Sequence, residues 1–242
     1  MPEAQRNSNG MKRRLRTTAI IIAILLATTY AWLTFTSVSA KDLPPLRNGD
    51  IIFQTSRSSQ SSAILLASMS AYSHMGMIEI DKDGTPFVLE AVGPVKSTPL
   101  DAWINRGLGG RVAIKRMATL STQQGQAILQ AAHKFDGLPY DLFFMSNTNQ
   151  IYCSELVALA FANGATIALG KFQKAKDLYL DNFAAKRLIS KRWKKHPLCQ
   201  TAQTATFETC YAQILQQELV TPDSIFNDPK LELVYSNYRP IP

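Results

Sequence analysis

Metal-ligand spacing is missing from this chain, which has three histidines and three cysteines in 242 residues. His74, His133 and His196 are dispersed, none forms a two-histidine helical motif, and no Cys/His spacing of a zinc site occurs. No metal or other cofactor is therefore expected. Internal repeats are absent, and the one biased tract is a short serine run, so a repeat array is excluded. Charged residues make up 18% against 46% hydrophobic, an ordinary globular balance that excludes a disordered chain. A broad basic excess is lacking as well. The formal charge is +8, but Arg6, Lys12, Arg13, Arg14 and Arg16 against Glu3 alone put +4 of it in residues 1–40. The rest is only mildly basic and gives no argument for a nucleic-acid partner.

What is present begins with the N-terminal segment. "MKRRLR" precedes "TTAIIIAILLATTYAWLTF", residues 17–35, an uncharged apolar run long enough to cross a ~30 Å hydrocarbon core at 1.5 Å per residue. The basic flank would stay in the cytoplasm and the rest would lie outside it. "SVSA" follows, with Val38 and Ala40 at the small-residue positions of a signal-peptidase site. Cleavage after Ala40 and retention as a single-pass anchor are both open, and the length of the run favours the anchor. The expected organisation is residues 1–40 as signal or anchor and 41–242 as one domain, in the cell envelope. That compartment is oxidising, and the cysteine count is odd. Cys199 and Cys210 flank "QTAQTATFET" and form the natural pair for a short disulfide loop, which leaves Cys153 alone.

Along the body, "NGDIIFQTS" reads as a strand entered through a Gly-Asp turn, and the serine-led "SAILLASMS" as a helix with hydroxyl caps. "YSHMGMIEI" and "PFVLEAV" are two strands joined by an Asp-Gly hairpin. "TPLDAWINRG" is a short helix, "GRVAIKRM" a third strand, and "STQQGQAILQAAHKF" a helix capped by Ser121. "YCSELVALAFANG" is a helix stopped by Asn163 and Gly164. A basic stretch from Lys186 to Lys195 leads into the cysteine loop, "VTPDSIF" is a turn, and "LELVYSN" a last strand. The class is α+β, an antiparallel sheet with helices packed around it.

Cys153 stands where a polar turn gives way to an apolar helix. A helix start supplies partial positive charge that favours a thiolate, and its free N–H groups suit the oxyanion of an attacked carbonyl. A lone cysteine in an apolar helix is also a common core residue. His74 is the candidate proton carrier, on one strand face with Gly76 and Ile78. Gly76 leaves room there for the close approach of a partner helix. Glu90, an acid within Phe, Val, Leu and Ala, is costly to bury unpaired and is placed by the hairpin to orient His74. Pairing of Glu90 with a lysine stays open.

The series "NGDIIFQTS", "YSHMGMIEI", "FVLEAVGPV", "DGLPYDLFF" and "YCSELV", in this order over residues 49–164, resembles the permuted papain-like amidases, a branch of the NlpC-type cysteine hydrolases. The resemblance implies a circularly permuted papain-like fold in which the histidine precedes the cysteine. It assigns Cys153 as nucleophile, His74 as general base and acid, and Glu90 as orienter. Asp50 falls in a structural Gly-Asp turn, and Tyr140 and Asp141 fall near the cleft. Tyr72 and Tyr152 flank the catalytic positions, as pocket-lining or packing residues. Residues 186–212 lie outside the pattern and read as an insertion. The implied activity is hydrolysis of an amide in a cell-wall peptide. The alternatives are a lipid acyltransferase or acyl hydrolase, and a non-catalytic envelope binding module. The expected partners are the membrane through the N-terminal helix and an anionic surface for the basic segment.

Overall fold

The computed structural model describes residues 14–29, 37–146, 149–200 and 206–238. Residues 14–29 are an exposed helix (α1). Among the described residues no helix is long and apolar enough to cross a membrane, and residues 30–35 of the expected span lie outside them. Val38 and Ala40, expected at the small-residue positions of a signal-peptidase site in the N-terminal segment, are half-buried and pack against the core of the domain. The Ala40 N–H donates to Asp101 Oδ1 at 2.7 Å. A boundary at 40/41 therefore cuts through packed contacts, because the apolar segment after the N-terminal run already covers the sheet.

Six antiparallel strands form the sheet. They are β1 (Ile51–Gln54), β2 (His74–Ile80), β3 (Pro86–Ala91), β4 (Val95–Pro99), β5 (Ala113–Arg116) and β8 (Glu232–Ser236), in the order β4-β3-β2-β1-β5-β8. β1 is central and buried at every position, as a run apolar on both faces must be. Its entry turn needs Gly49 at φ +88°, and the Asp50 carboxylate accepts from Arg116 Nε at 2.7 Å and from the Arg47 N–H at 2.8 Å. The Asp-Gly hairpin joins β2 and β3 as expected, with Asp81 Oδ1 accepting from the N–H groups of Asp83 and Thr85. β4 was not evident from sequence. Its polar "VKSTP" is tolerated because it is an edge strand, where Pro99 can end the ladder.

Alternation along the strands gives the sheet two buried faces. Ile52, Ile78, Val88 and Ile114 pack with Trp103 and Ile104 of α3 (Leu100–Arg106). Ile51, Phe53, Met75, Met77 and Leu89 face α4 (Thr122–His133) and α5 (Cys153–Ala165). α4 begins in a complete capping box between Ser121 and Gln124, as the sequence predicts. α5 runs through Asn163 and Gly164 to a left-handed Thr166, past the predicted stop. Gly164 serves helix contact instead: a Cβ there would lie 2.5 Å from Ile128 Cα and 2.6 Å from Ala127 O.

The remaining elements wall one side. α2 (Ser61–Ser68) starts at Gln60 with no side-chain cap, because Ser61 Oγ is turned to Ser73 Oγ at 2.5 Å rather than to its own helix. The basic stretch is mostly α6 (Phe183–Arg192), followed by α7 (Phe207–Ile214); Cys199 and Cys210 are joined by a disulfide, in line with the sequence pairing. A two-stranded ribbon pairs β6 (Gln173–Lys174) with β7 (Glu218–Leu219), and "VTPDSIF" is a short helix, α8 (Pro222–Phe226), rather than a turn.

Candidate active site

Cys153 is the first residue of α5 and is 2% exposed. Tyr152 before it has extended backbone angles and offers no side-chain cap, so the first-turn N–H groups keep their partial positive charge beside the sulfur. Glu155 reaches back to the Tyr152 N–H, which is half of a capping box. Against the lowering effect of that N–H, the buried Glu155 carboxyl is pushed up to about 7, by desolvation first and by the nearby Asp141 charge.

His74 opens β2 on the α3 face of the sheet, and Glu90 lies on β3 on the same face. His74 Nε2 and Glu90 Oε2 are 2.6 Å apart, which leaves Nδ1 as the nitrogen for the hydrogen bond to Cys153. The close approach that Gly76 permits is to β3 and not to a helix. A Cβ there would stand 2.5 Å from Val88 Cγ1 and 2.8 Å from Leu89 O, and 3.2 Å from Glu90 Cβ. Gly76 thus lets the two strands lie close enough for Glu90 to meet the imidazole.

Glu90 is fully buried and paired with more than the histidine. It accepts from Trp103 Nε1 at 2.9 Å, Thr98 Oγ1 at 2.7 Å and Arg106 NH2 at 2.7 Å. The Trp103 ring also stacks on His74 at 6.0 Å between centroids. Burial opposes ionisation of each group, but pairing outweighs it. Glu90 is held at about 2 by His74 and Arg106, and His74 at about 9 by Cys153 and Glu90. The Cys153 thiol is drawn below its ordinary value by His74, Tyr140 and the Met75 N–H, against the opposing effect of burial. The charges of Cys153, His74, Glu90 and Arg106 sum to zero. That balance is what a buried ionised set requires.

The tyrosines separate. Tyr140 OH lies 3.9 Å from Cys153 Sγ and accepts from Gln60 Nε2 at 3.1 Å, while Gln60 Oε1 accepts from Arg192 NH1 at 3.0 Å. Tyr152 borders the pocket beside Cys153, its hydroxyl accepting from the Val220 N–H at 3.2 Å. Tyr72 does not border that pocket; its ring packs with Phe53, Phe226 and Tyr238.

Sequence reasoning missed Gln60, Thr98, Trp103 and Arg106. Only the last two carried a signal, as a Trp and an Arg three apart on one short helix, and nothing local ties them to Glu90.

Comparison with known proteins shows the family. The model of the family described as "Permuted papain-like amidase enzyme, YaeF/YiiX, C92 family" matches residues 45–235. The Escherichia coli (strain K12) protein YiiX is 38% identical over 190 residues, 78% of this chain and 85% of YiiX. The crystal structure titled metalloprotein yiiX from Escherichia coli O157:H7 superposes with a TM-score of 0.70 at 36% identity, covering 80% of this chain and 98% of that one. With cysteine, histidine and carboxylate gathered in permuted order on this sheet, the chain belongs to the permuted papain-like amidase family.

Proposed function

We propose that the protein is a cysteine hydrolase that cuts an acyl bond, an amide in the first instance, through an acyl-enzyme on Cys153. The observation that carries the reading is the buried Cys153 at the start of α5, hydrogen-bonded to a His74 whose far nitrogen is fixed by Glu90. The Cys153 thiolate attacks the carbonyl carbon, and first-turn N–H groups of α5, with the Tyr140 hydroxyl, receive the developing oxyanion. The imidazolium of His74 gives its proton to the leaving amine as the C–N bond breaks. Water, losing a proton to His74, then attacks the thioester, and its collapse frees the acid and the thiol. Glu90 holds the imidazole in one orientation and stabilises its charge throughout.

The Escherichia coli O157:H7 relative is titled a metalloprotein. The residues here do not fit that group. Among the described residues no cluster of three or more His, Cys, Asp or Glu could hold a metal ion, and Glu90 is filled with donors from four side chains. No step is routed through a metal.

We infer a cell-envelope location from the basic flank and apolar run at the N-terminus, which would set the site against cell-wall peptides. A second substrate reading, an apolar acyl group, is favoured by the lining of the pocket beside Cys153. The intact Cys153, His74 and Glu90 set argues against a binding module.

The test is the rate of Cys153 alkylation against pH in the full-length protein and in His74→Ala. Fast labelling well below the free-thiol value of ~8.5, slowed in His74→Ala, supports the pair. Slow labelling in both refutes it.

A further inference from the structure

The basic excess of the domain is confined to one stretch. Residues 171–195 hold nine Lys and Arg against Asp177 and Asp181, a net of +7, whereas the other residues from 41 to 242 come to −3. Within that stretch α6 sorts its side chains by face. Phe183, Lys186, Arg187, Ser190 and Lys191 recur at helical spacing and are all exposed. Ala184 and Ala185 are buried, and Leu188 and Ile189 half-buried, on the other side. Arg192 faces the body as well, with NH1 donating to Gln60 Oε1 and to Leu142 O.

The outward cations are poorly accounted for within the molecule. The helix dipole favours Lys191 in the last turn, but it gives no support to Lys186 and Arg187 in the first half of α6. Arg187 and Lys191 are like charges four residues apart, an unfavourable spacing. Among the described residues, the only ion pair made by this stretch is Lys186 with Asp181.

Large apolar side chains stand beside these cations. Met69 is 81% exposed, Phe183 77% and Tyr179 53%. Backbone and side-chain bonds gather them at the start of α6. The Tyr179 N–H donates to Ala67 O, two residues before Met69, and Asn182 Nδ2 donates to Tyr179 O just ahead of Phe183. Single apolar residues on a surface are ordinary, but three around one helix end, next to the basic stretch, make a patch. A polyanion in water would meet the cations and leave the three apolar side chains wet. The interface of an anionic bilayer takes both, with phosphates for Lys and Arg and the acyl boundary for Phe, Met and Tyr.

We propose that the exposed face of α6, with Met69 and Tyr179 at its start, is a docking surface for an anionic phospholipid bilayer. Lys186, Arg187 and Lys191 lie among the headgroups, and Phe183, Met69 and Tyr179 enter below them. Arg192, on the opposite face, bonds the Gln60 that supports Tyr140, so docking also fixes which side of the active site meets the membrane. The surface does not depend on Cys153 being a nucleophile.

The test is lysine footprinting of the full-length protein, reconstituted in vesicles of phosphatidylcholine alone or of phosphatidylcholine and phosphatidylglycerol in equal parts. A brief pulse of a membrane-impermeant acetylating ester is read by peptide mass. Lys186 and Lys191 should react several-fold more slowly on the anionic vesicles, while Lys82 and Lys134, exposed elsewhere, keep their rates. High salt should remove the protection, as the Debye length falls to ~3 Å at 1 M. Arg187→Gln should lower the ratio of docked to undocked protein, read at Lys191, about fivefold, equivalent to ~1 kcal/mol for one cation at such a surface. Phe183→Ser should lower it as well. Equal rates for Lys186 and Lys191 on the two vesicles, or equal slowing of Lys82 and Lys134, overturns the docking face. Protection that soluble polyphosphate reproduces, and that Phe183→Ser leaves intact on vesicles, assigns the face to a water-borne polyanion and overturns the membrane surface. Should a variant fail to fold, the comparison of the two vesicles with the wild type still decides.

Discussion

Replacing Glu90 by glutamine removes one charge from a set of four and keeps the side-chain volume. In the wild type His74 is held at about 9 against an ordinary 6.5, a difference on the order of 3 kcal/mol at 1.36 kcal/mol per pH unit. Losing the carboxylate should lower the imidazole and return the thiol toward ~8.5, where only about one molecule in 300 is thiolate at pH 6. The weaker intrinsic nucleophilicity of a low-pKa thiolate offsets part of this, with a Brønsted slope of ~0.5. The net expectation is a fall of about tenfold or more in iodoacetamide alkylation of Cys153 at pH 6, shrinking to little difference at pH 9. Stability gives the second readout. Glu90 lies below its ordinary 4.5, so its contribution is present above pH 4.5 and lost as pH falls toward 2. His74 lies above its ordinary 6.5, so its contribution is full below pH 6.5 and lost as pH rises through 9. Both act together between pH 4.5 and 6.5. Urea unfolding should show the variant's deficit largest in that window, within the ~3–5 kcal/mol typical of breaking a buried pair. Identical alkylation profiles for the two proteins would refute the ionised-pair account.

Other consequences can be checked separately. Cys153→Ala should abolish turnover and leave the circular dichroism spectrum unchanged; residual turnover would remove Cys153 from the chemistry. Tyr140→Phe should lower kcat by up to ~10²-fold, the scale for one oxyanion donor, with Cys153 still open to alkylation. A variant with wild-type kcat would assign Tyr140 to packing alone. Gly164→Ala forces a methyl group into the backbone of α4 and should cost about 1–3 kcal/mol in urea unfolding; no loss would mean the helices can separate freely. Peptide mapping of envelope-expressed protein without reduction should recover Cys199 linked to Cys210, and free thiols at both would contradict the bridge.

Much of the scaffold was legible because its signals are local. The period-2 pattern of "HMGMIEI" and "PFVLEA", the Asp-Gly turn between them, and the Ser121 to Gln124 box each act within a few residues. The errors came where a distant partner decided the outcome. Gly164 reads as a stop until α4 is seen against it, and "VKSTP" reads as loop until β3 supplies a ladder for it.

The sequence by itself named the candidate groups: one unpaired cysteine at a helix start, one strand histidine, and one acid in an apolar strand, with the histidine ahead of the cysteine. It also offered Cys199 and Cys210, 11 residues apart, as the natural pair, and the folded chain joins them. Tertiary structure alone decided how the set is kept ionised. Trp103 and Arg106 come from α3 and Thr98 from β4, and all three converge on a carboxylate that no local rule ties to them. It alone decided the character of the pocket, because an apolar wall is made by α2, α6 and the segment around Leu219 meeting in space. Local residues set propensity and reactivity, whereas charge balance and cavity shape are properties of surfaces that the chain brings together from far apart.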